Sequence, residues 1–197
     1  MPDLTLLRPV VALVAAAGLV VGCRASTPSP AEPTPSPSAS ATTSAPPVAD
    51  EPAAPVSITI PSIDVDGALI DLGLAPSGEL EGADDADDIG WFTGGGRPGG
   101  PGPTVVVGHL DSRTGPAVFA RLGDLDDGDS ITVTDAEGGR HDYRVTDSRR
   151  VPQDPFPTED VFGRTVDDEV RLITCTGPYD RAEGRYTENL LVTAERI

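Results

Sequence analysis

From residue 56 onward the chain is written in short runs of alternating apolar and polar residues, each closed off by Gly, Pro or Asp. Val56-Ser57-Ile58-Thr59-Ile60 is the first, and a period of two is the pattern of a strand with one face in a core. Further strands are predicted at Ala68 to Leu72, Thr104 to His109, Ser130 to Thr134, His141 to Ser148, Glu169 to Cys175 and Glu188 to Ala194. The spacing predicts one short helix at Pro116 to Leu122, where proline takes the first turn and Val118, Phe119 and Leu122 share a face. Many short strands and little helix restrict the fold to a mainly β barrel or sandwich.

Nothing upstream can join that core. Residues 24–55 are almost wholly Ser, Thr, Pro and Ala with no aromatic residue, a composition that buries too little surface to fold and reads as a disordered linker. Extended at ~3.1 Å per residue, such a tether reaches roughly 90 Å. Residues 1–23 carry a single arginine, Arg8, followed by an uncharged apolar run from Val10 to Gly22, the pattern of an export signal or membrane anchor. That run spans about 20 Å at ~1.5 Å per residue, short of the ~30 Å hydrocarbon core. Lipidation at Cys23 is therefore preferred over an uncleaved signal anchor, since Val20-Val21-Gly22-Cys23 resembles a bacterial lipobox. The folded domain is then 56–197.

Charge narrows the partners. All 14 basic residues are arginine, 32 residues are acidic and the net charge is -18, which repels nucleic acid and anionic lipid headgroups. The acidic stretch Glu79 to Asp88 reads as a solvated loop, because it lacks the alternating ligands and central glycine of a hand-type calcium loop. Gly94 to Gly102 reads as a loop too, with no lysine or helix start to make a phosphate cradle. Two cysteines in unlike contexts suggest no disulfide framework.

The chemical signal is Leu172-Ile173-Thr174-Cys175-Thr176-Gly177, an apolar strand running into a cysteine and then into small, turn-forming residues. A buried cysteine is more often an inert small hydrophobe. Val105-Val106-Val107-Gly108-His109 changes the balance, because it brings a histidine to the end of a second apolar strand. A thiol and an imidazole at two strand ends can supply nucleophile and proton carrier for acyl transfer, if the fold joins them. As metal ligands they are too few for a structural zinc. Trp91 and Phe92 read as core aromatics before substrate contacts. His141, in Arg140-His141-Asp142-Tyr143-Arg144, is expected on an exposed strand face with no role.

Leu-Ile-Thr-Cys at 172–175 resembles the sortase cysteine signature, and Val-Gly-His-Leu at 107–110 resembles the sortase histidine strand, 66 positions earlier. Ile58 to Val65, Gly90-Trp91-Phe92, Ser112 to Phe119 and Tyr186-Thr187-Glu188-Asn189 are similar to segments of class F sortases. The resemblance covers Val56 to Ile197. It implies an eight-stranded β-barrel with one or two short helices, and a cysteine transpeptidase that cuts a Leu-Pro-x-Thr-Gly-like sorting signal between Thr and Gly. Cys175 would form the thioester, and His109 would serve as acid and base. The acyl group would pass to an amine of a peptidoglycan precursor or a pilin. No cofactor or metal is implied.

The resemblance also implies an arginine beside the cysteine, in many sortases at the start of the final strand. Glu188 and Asn189 hold that place here, so the role falls to Arg185 or Arg181. Arg185 is preferred because it adjoins Tyr186, whereas Arg181 could pair with Asp180 or Glu183. Thr174 and Thr176 beside the cysteine, with Asp111 and Arg113 beyond His109, are the candidate substrate-binding residues. The expected setting is a monomer held by an N-terminal anchor outside the membrane of a Gram-positive bacterium, acting on surface proteins with a C-terminal sorting signal. The competing reading is a catalytically weak barrel that serves as a binding or scaffold lipoprotein.

Overall fold

The computed structural model of the chain describes residues 51–76 and 78–197. The export signal, Cys23 and most of the linker therefore lie outside the described residues. Ten strands follow in order: β1 (Pro55–Ile60), β2 (Val65–Leu72), β3 (Ile89–Phe92), β4 (Gly102–Gly108), β5 (Asp111–Ser112), β6 (Gly115–Pro116), β7 (Ser130–Asp135), β8 (Arg140–Pro152), β9 (Asp168–Asp180) and β10 (Arg185–Arg196). Among the described residues one α-helix, α1 (Thr158–Phe162), stands between β8 and β9, and 3-10 turns occupy Pro61–Ile63 and Leu122–Asp124.

Eight of the strands close into a barrel in the order β1-β2-β3-β4-β9-β10-β8-β7, with β7 returning to β1. Closure gives every strand of the barrel a neighbour on both sides over part of its length. β5 and β6 form a separate two-stranded ribbon. Most pairs are antiparallel, but β2 with β3 and β4 with β9 run parallel.

Alternation sorts the side chains into two cores. Ile58, Ile60, Val106, Ile131, Val133, Tyr143, Val170, Leu172, Val192 and Ala194 belong to the cluster that fills the barrel. The residues between them point outward, and on one wall these too are apolar. Val105, Val151, Ile173 and Leu191 gather under Val161 of α1, with Phe92, Val107, Phe156 and Phe162 packed against them. A strand buried on both faces reads as a continuous apolar run, which accounts for Val105-Val106-Val107 and Leu172-Ile173.

Several expectations are corrected. No α-helix forms at Pro116 to Leu122. Pro116 lies in β6, and the chain then turns through i→i+3 hydrogen bonds, Ala120 N–H to the Ala117 carbonyl and Leu122 N–H to the Phe119 carbonyl. The N–H groups of Ala117, Val118 and Phe119 are drawn to the carbonyls of Leu110, Ala86 and His109 instead, so tertiary partners outcompete helix. Phe119 and Leu122 are nevertheless buried together in the core. Strand β3 was not expected, because Gly90 and the acidic run before it mask a four-residue strand.

His141 is not on an exposed face. Its Nε2 lies 2.7 Å from Asp135 Oδ2, and both side chains are largely covered. Trp91 is a core residue, 2% exposed, with the Arg97 guanidinium 5.7 Å from its ring centroid. Among the described residues no helix is long and apolar enough to cross a membrane.

Candidate active site

β4 and β9 run side by side in parallel, with Val105 opposite Arg171 and Val107 opposite Ile173. Continuing that alternation by one step puts His109 and Cys175 on the same outer face, each just above the apolar wall. They line one groove of about 660 Å³ together with Phe92, Phe156, Phe162 and Ile173. Thr174 is 3% exposed, and its hydroxyl donates to the Gly108 carbonyl at 2.8 Å. This bond ties the two strands together at the level of the thiol and imidazole.

Glycine is required on both sides of the pair. A Cβ on Gly108 would come within 2.7 Å of the Phe119 ring, so any side chain there would push apart the packing that supports His109. Gly177 has φ 77, a left-handed conformation that disfavours other residues. It lies in a β-bulge, because the β9–β10 register slips between Tyr186 and Glu188. The strand therefore does not end at Cys175, as its small neighbours had suggested. It kinks and continues to Asp180.

The imidazole is held by the β2–β3 loop. His109 Nε2–H donates to the Ala83 carbonyl at 2.8 Å, which leaves Nδ1 as the lone pair of the neutral ring. That loop is the acidic stretch, and it is more than a solvated connection. Leu74 and Leu80 form a β-bridge across it, Glu81 accepts the Gly73 N–H at 3.0 Å, and residues 78–83 line the groove. On the other side, Arg171 donates to the carbonyls of Asp160 and Val161 at 2.9 Å each and pairs with Glu169. One guanidinium thus fastens α1, and with it Phe162, over the apolar wall.

Cys175 is a free, half-buried thiol. Burial pushes it up from its ordinary value, the amide of Gln153 pulls it down, and the nearby charge of Asp111 pushes it up again. The thiol form is therefore favoured at rest. Asp111 is itself engaged, accepting the Tyr186 hydroxyl at 2.5 Å. This contact links the β5–β6 ribbon to β10 and holds the Tyr186 hydroxyl above its usual range.

The remaining expected site residues divide. Arg185 lines the groove and Arg181 does not. The Arg181 pairing considered from sequence is not formed, since Asp180 Oδ1 instead accepts the N–H groups of Ala182 and Glu183 within the β9–β10 turn. Thr174 lines the groove, while Thr176, Asp111 and Arg113 do not. Sequence reasoning missed Gln153, Phe156 and Phe162 on the groove wall, and it named Asn189 only as the occupant of the arginine's usual place. Asn189 is paired directly with Cys175 across β9 and β10. Among the described residues no group of three or more His, Cys, Asp or Glu side chains is placed to hold a metal ion.

Residues 58–197 match the family model described as Sortase domain. Among solved structures, sortase C-1 from Actinomyces oris is 30% identical over 72% of this chain and 73% of that one, with a TM-score of 0.56. Sortase A from Corynebacterium diphtheriae is 26% identical over 75% of this chain and 62% of that one, with a TM-score of 0.55. Sortase C2 of Group B Streptococcus Pilus Island 1 is 26% identical over 72% of this chain and 73% of that one, with a TM-score of 0.56. No curated protein matches the chain.

Proposed function

Since the chain belongs to the sortase family, we propose that it is a cysteine transpeptidase that cleaves a Leu-Pro-x-Thr-Gly-like sorting signal between Thr and Gly. The observation that carries this reading is the sharing of one groove by Cys175 and His109. The Cys175 proton passes to His109, and the sulfur attacks the threonine carbonyl, whose π pair moves onto oxygen. Collapse of that intermediate expels the glycine amine, which takes its proton from His109 and leaves a thioester. An incoming amine then gives its proton to His109 and attacks the thioester carbonyl; the carbon–sulfur bond breaks, and the departing Cys175 sulfur takes the proton back from His109. The aromatic and aliphatic wall of Phe92, Phe156, Phe162 and Ile173 suits the apolar part of such a peptide. Arg185 at the groove and the backbone N–H after Cys175 are the proposed oxyanion donors, a contribution worth ~3–4 kcal/mol per donor in acyl-transfer enzymes.

The physiological setting belongs to the same proposal. The enzyme is of class F type and stands outside the membrane of a Gram-positive cell. Its anchor is residues 1–23 with Cys23 as the lipidated residue, and the linker from residue 24 acts as a tether that ends before Glu51, because Arg97 pairs with Glu51 and donates to the Pro52 carbonyl and β1 already begins at Pro55, not at 56. Its partners are surface proteins with a C-terminal sorting signal and an amine of peptidoglycan or a pilin. In the test, Cys175→Ala abolishes cleavage of a Leu-Pro-x-Thr-Gly peptide without unfolding the domain, and mass spectrometry of the wild type captures a thioester on Cys175. Undiminished cleavage by Cys175→Ala would remove the proposal. Absence of any covalent adduct would favour the weak scaffold reading, which the asparagine opposite the thiol supports.

A further inference from the structure

The thiol has a hydrogen-bond donor, and it is not an arginine. Arg185 lines the groove, but the residue across the sheet from Cys175 is Asn189. The group that reaches Sγ is the side-chain amide of Gln153, with Nε2 at 3.6 Å, within hydrogen-bond range for the larger sulfur atom. Resting on the transpeptidase reading, we propose that Gln153 is a further catalytic residue, whose neutral N–H holds the Cys175 sulfur and stabilises it as a thiolate for attack.

The surroundings fix which end of the amide faces the sulfur. Nε2 is also 3.1 Å from Asn189 Oδ1 and 3.4 Å from the Glu188 carbonyl. The Glu188 carbonyl can only accept, so the N–H end of the Gln153 amide is the end that faces it, with the sulfur and Asn189 Oδ1 on the same side. The Gln153 backbone N–H donates to the Thr187 carbonyl at 3.0 Å. Its side chain is thus carried on the rigid β8–β10 pair, one residue beyond the end of β8. Asn189, bound through its oxygen, positions the amide.

The chemistry follows from the charge. A donor to a thiol makes a weak bond, but the same donor to a thiolate makes a charge-assisted one, so it lowers the cost of ionisation. When the thiol proton leaves for His109, Gln153 keeps both of its own protons and only redirects toward the anion. As the sulfur–carbon bond forms, the negative charge leaves sulfur for the carbonyl oxygen and the amide contact relaxes. The other charged or titratable groups around the thiol and its groove are Glu79 and Glu81 on the β2–β3 loop, His109 beyond β4, Asp111 on β5, and Arg185, Tyr186 and Glu188 on β10. Glu188 is paired with Arg150, and Asp111 opposes thiolate formation. A neutral donor meets this acidic environment without itself titrating.

The test needs no peptide substrate. The rate at which iodoacetamide alkylates Cys175 in the full chain is followed by mass spectrometry of its peptide across pH, for the wild type, Gln153→Ala, Gln153→Met and Gln153→Glu. Removing the donor should slow alkylation about tenfold at neutral pH and move its midpoint upward, more so with the added charge of glutamate. Methionine fills the same volume without donating, so it carries the test if alanine fails to fold. Unchanged rates and midpoints in folded Gln153→Met overturn the assignment, even in an enzyme that cleaves peptides. A wild type that shows the Gln153 effect yet cleaves no sorting peptide overturns the transpeptidase reading alone.

Discussion

Replacing Thr174 by valine isolates the single bond that joins the two strands beside the thiol. Valine matches threonine in shape and fills the same 3% exposed position, but it cannot donate to the Gly108 carbonyl now 2.8 Å away. That carbonyl lies one residue past the last β4–β9 pair, Val107 with Ile173, so the hydroxyl stands in for the next rung of the ladder. A buried polar group left without its partner costs about 1–3 kcal/mol, and the added methyl returns roughly 0.8 kcal/mol. The net loss should be about 0.2–2 kcal/mol. In domains of this size a loss at the upper end of that range lowers Tm by roughly 4–8 °C. Urea unfolding should show a lower midpoint at unchanged slope. Because Gly108 precedes His109, kcat/KM for a sorting peptide should also fall at temperatures where the variant is fully folded. Thr174→Ser keeps the hydroxyl and should recover most of both losses. If Thr174→Val matches the wild type in unfolding midpoint and in kcat/KM, the bond does not set the spacing of thiol and imidazole, and the reasoning fails.

Two further outcomes follow from the charges. Asp111→Asn removes a carboxylate that pushes the Cys175 thiol up, so Cys175 should alkylate faster at mildly alkaline pH; an unchanged or slower rate counts against that contact. Asp135 is held below its usual range by hydrogen bonds, first from His141 and then from the N–H groups of Gly139 and Glu137. The unfolded chain, with its carboxyl near 3.8, binds that proton more readily than the folded one. The stabilisation is therefore present above the unfolded value and is lost as pH falls through the folded value. Asp135→Asn should flatten the acid limb of the stability curve, read from urea midpoints between about pH 6 and about pH 3; an equally steep limb would refute the assignment.

Much of the barrel was legible because alternation reports burial directly. Val56 to Ile60 and Ser130 to Thr134 were found nearly to the residue, since Ile58, Ile60, Ile131 and Val133 are buried between polar residues, although Val56 is itself exposed where a bulge shifts the β1–β7 register. Cys175 and His109 were legible for a different reason. Each follows an apolar run too long for a half-buried strand, and such runs occur here where the wall is covered on both sides. What alternation could not show was what supplies that cover. Phe156 and Phe162 lie in a stretch with no strand period, and their placement depends on the Arg171 clamp. Gln153 was invisible because it lies beyond Ser148, where β8 was expected to stop. The strand in fact continues to Pro152 through exposed arginines. The acidic loop misled in the same way, as charge signalled solvent while its backbone carbonyl at Ala83 was meeting the imidazole.

The parallel pairing of β4 with β9 frees the distance along the polypeptide from the distance in space. The reacting groups meet because neighbouring ribs of the wall leave the same rim, and the intervening stretch merely loops back to make that possible. Extra residues spliced into the exposed turn at 136–138 would lengthen the numerical gap without moving either group. A relative with a very different count between its histidine and cysteine can therefore keep the same working geometry, and a search that insists on a fixed interval would overlook it.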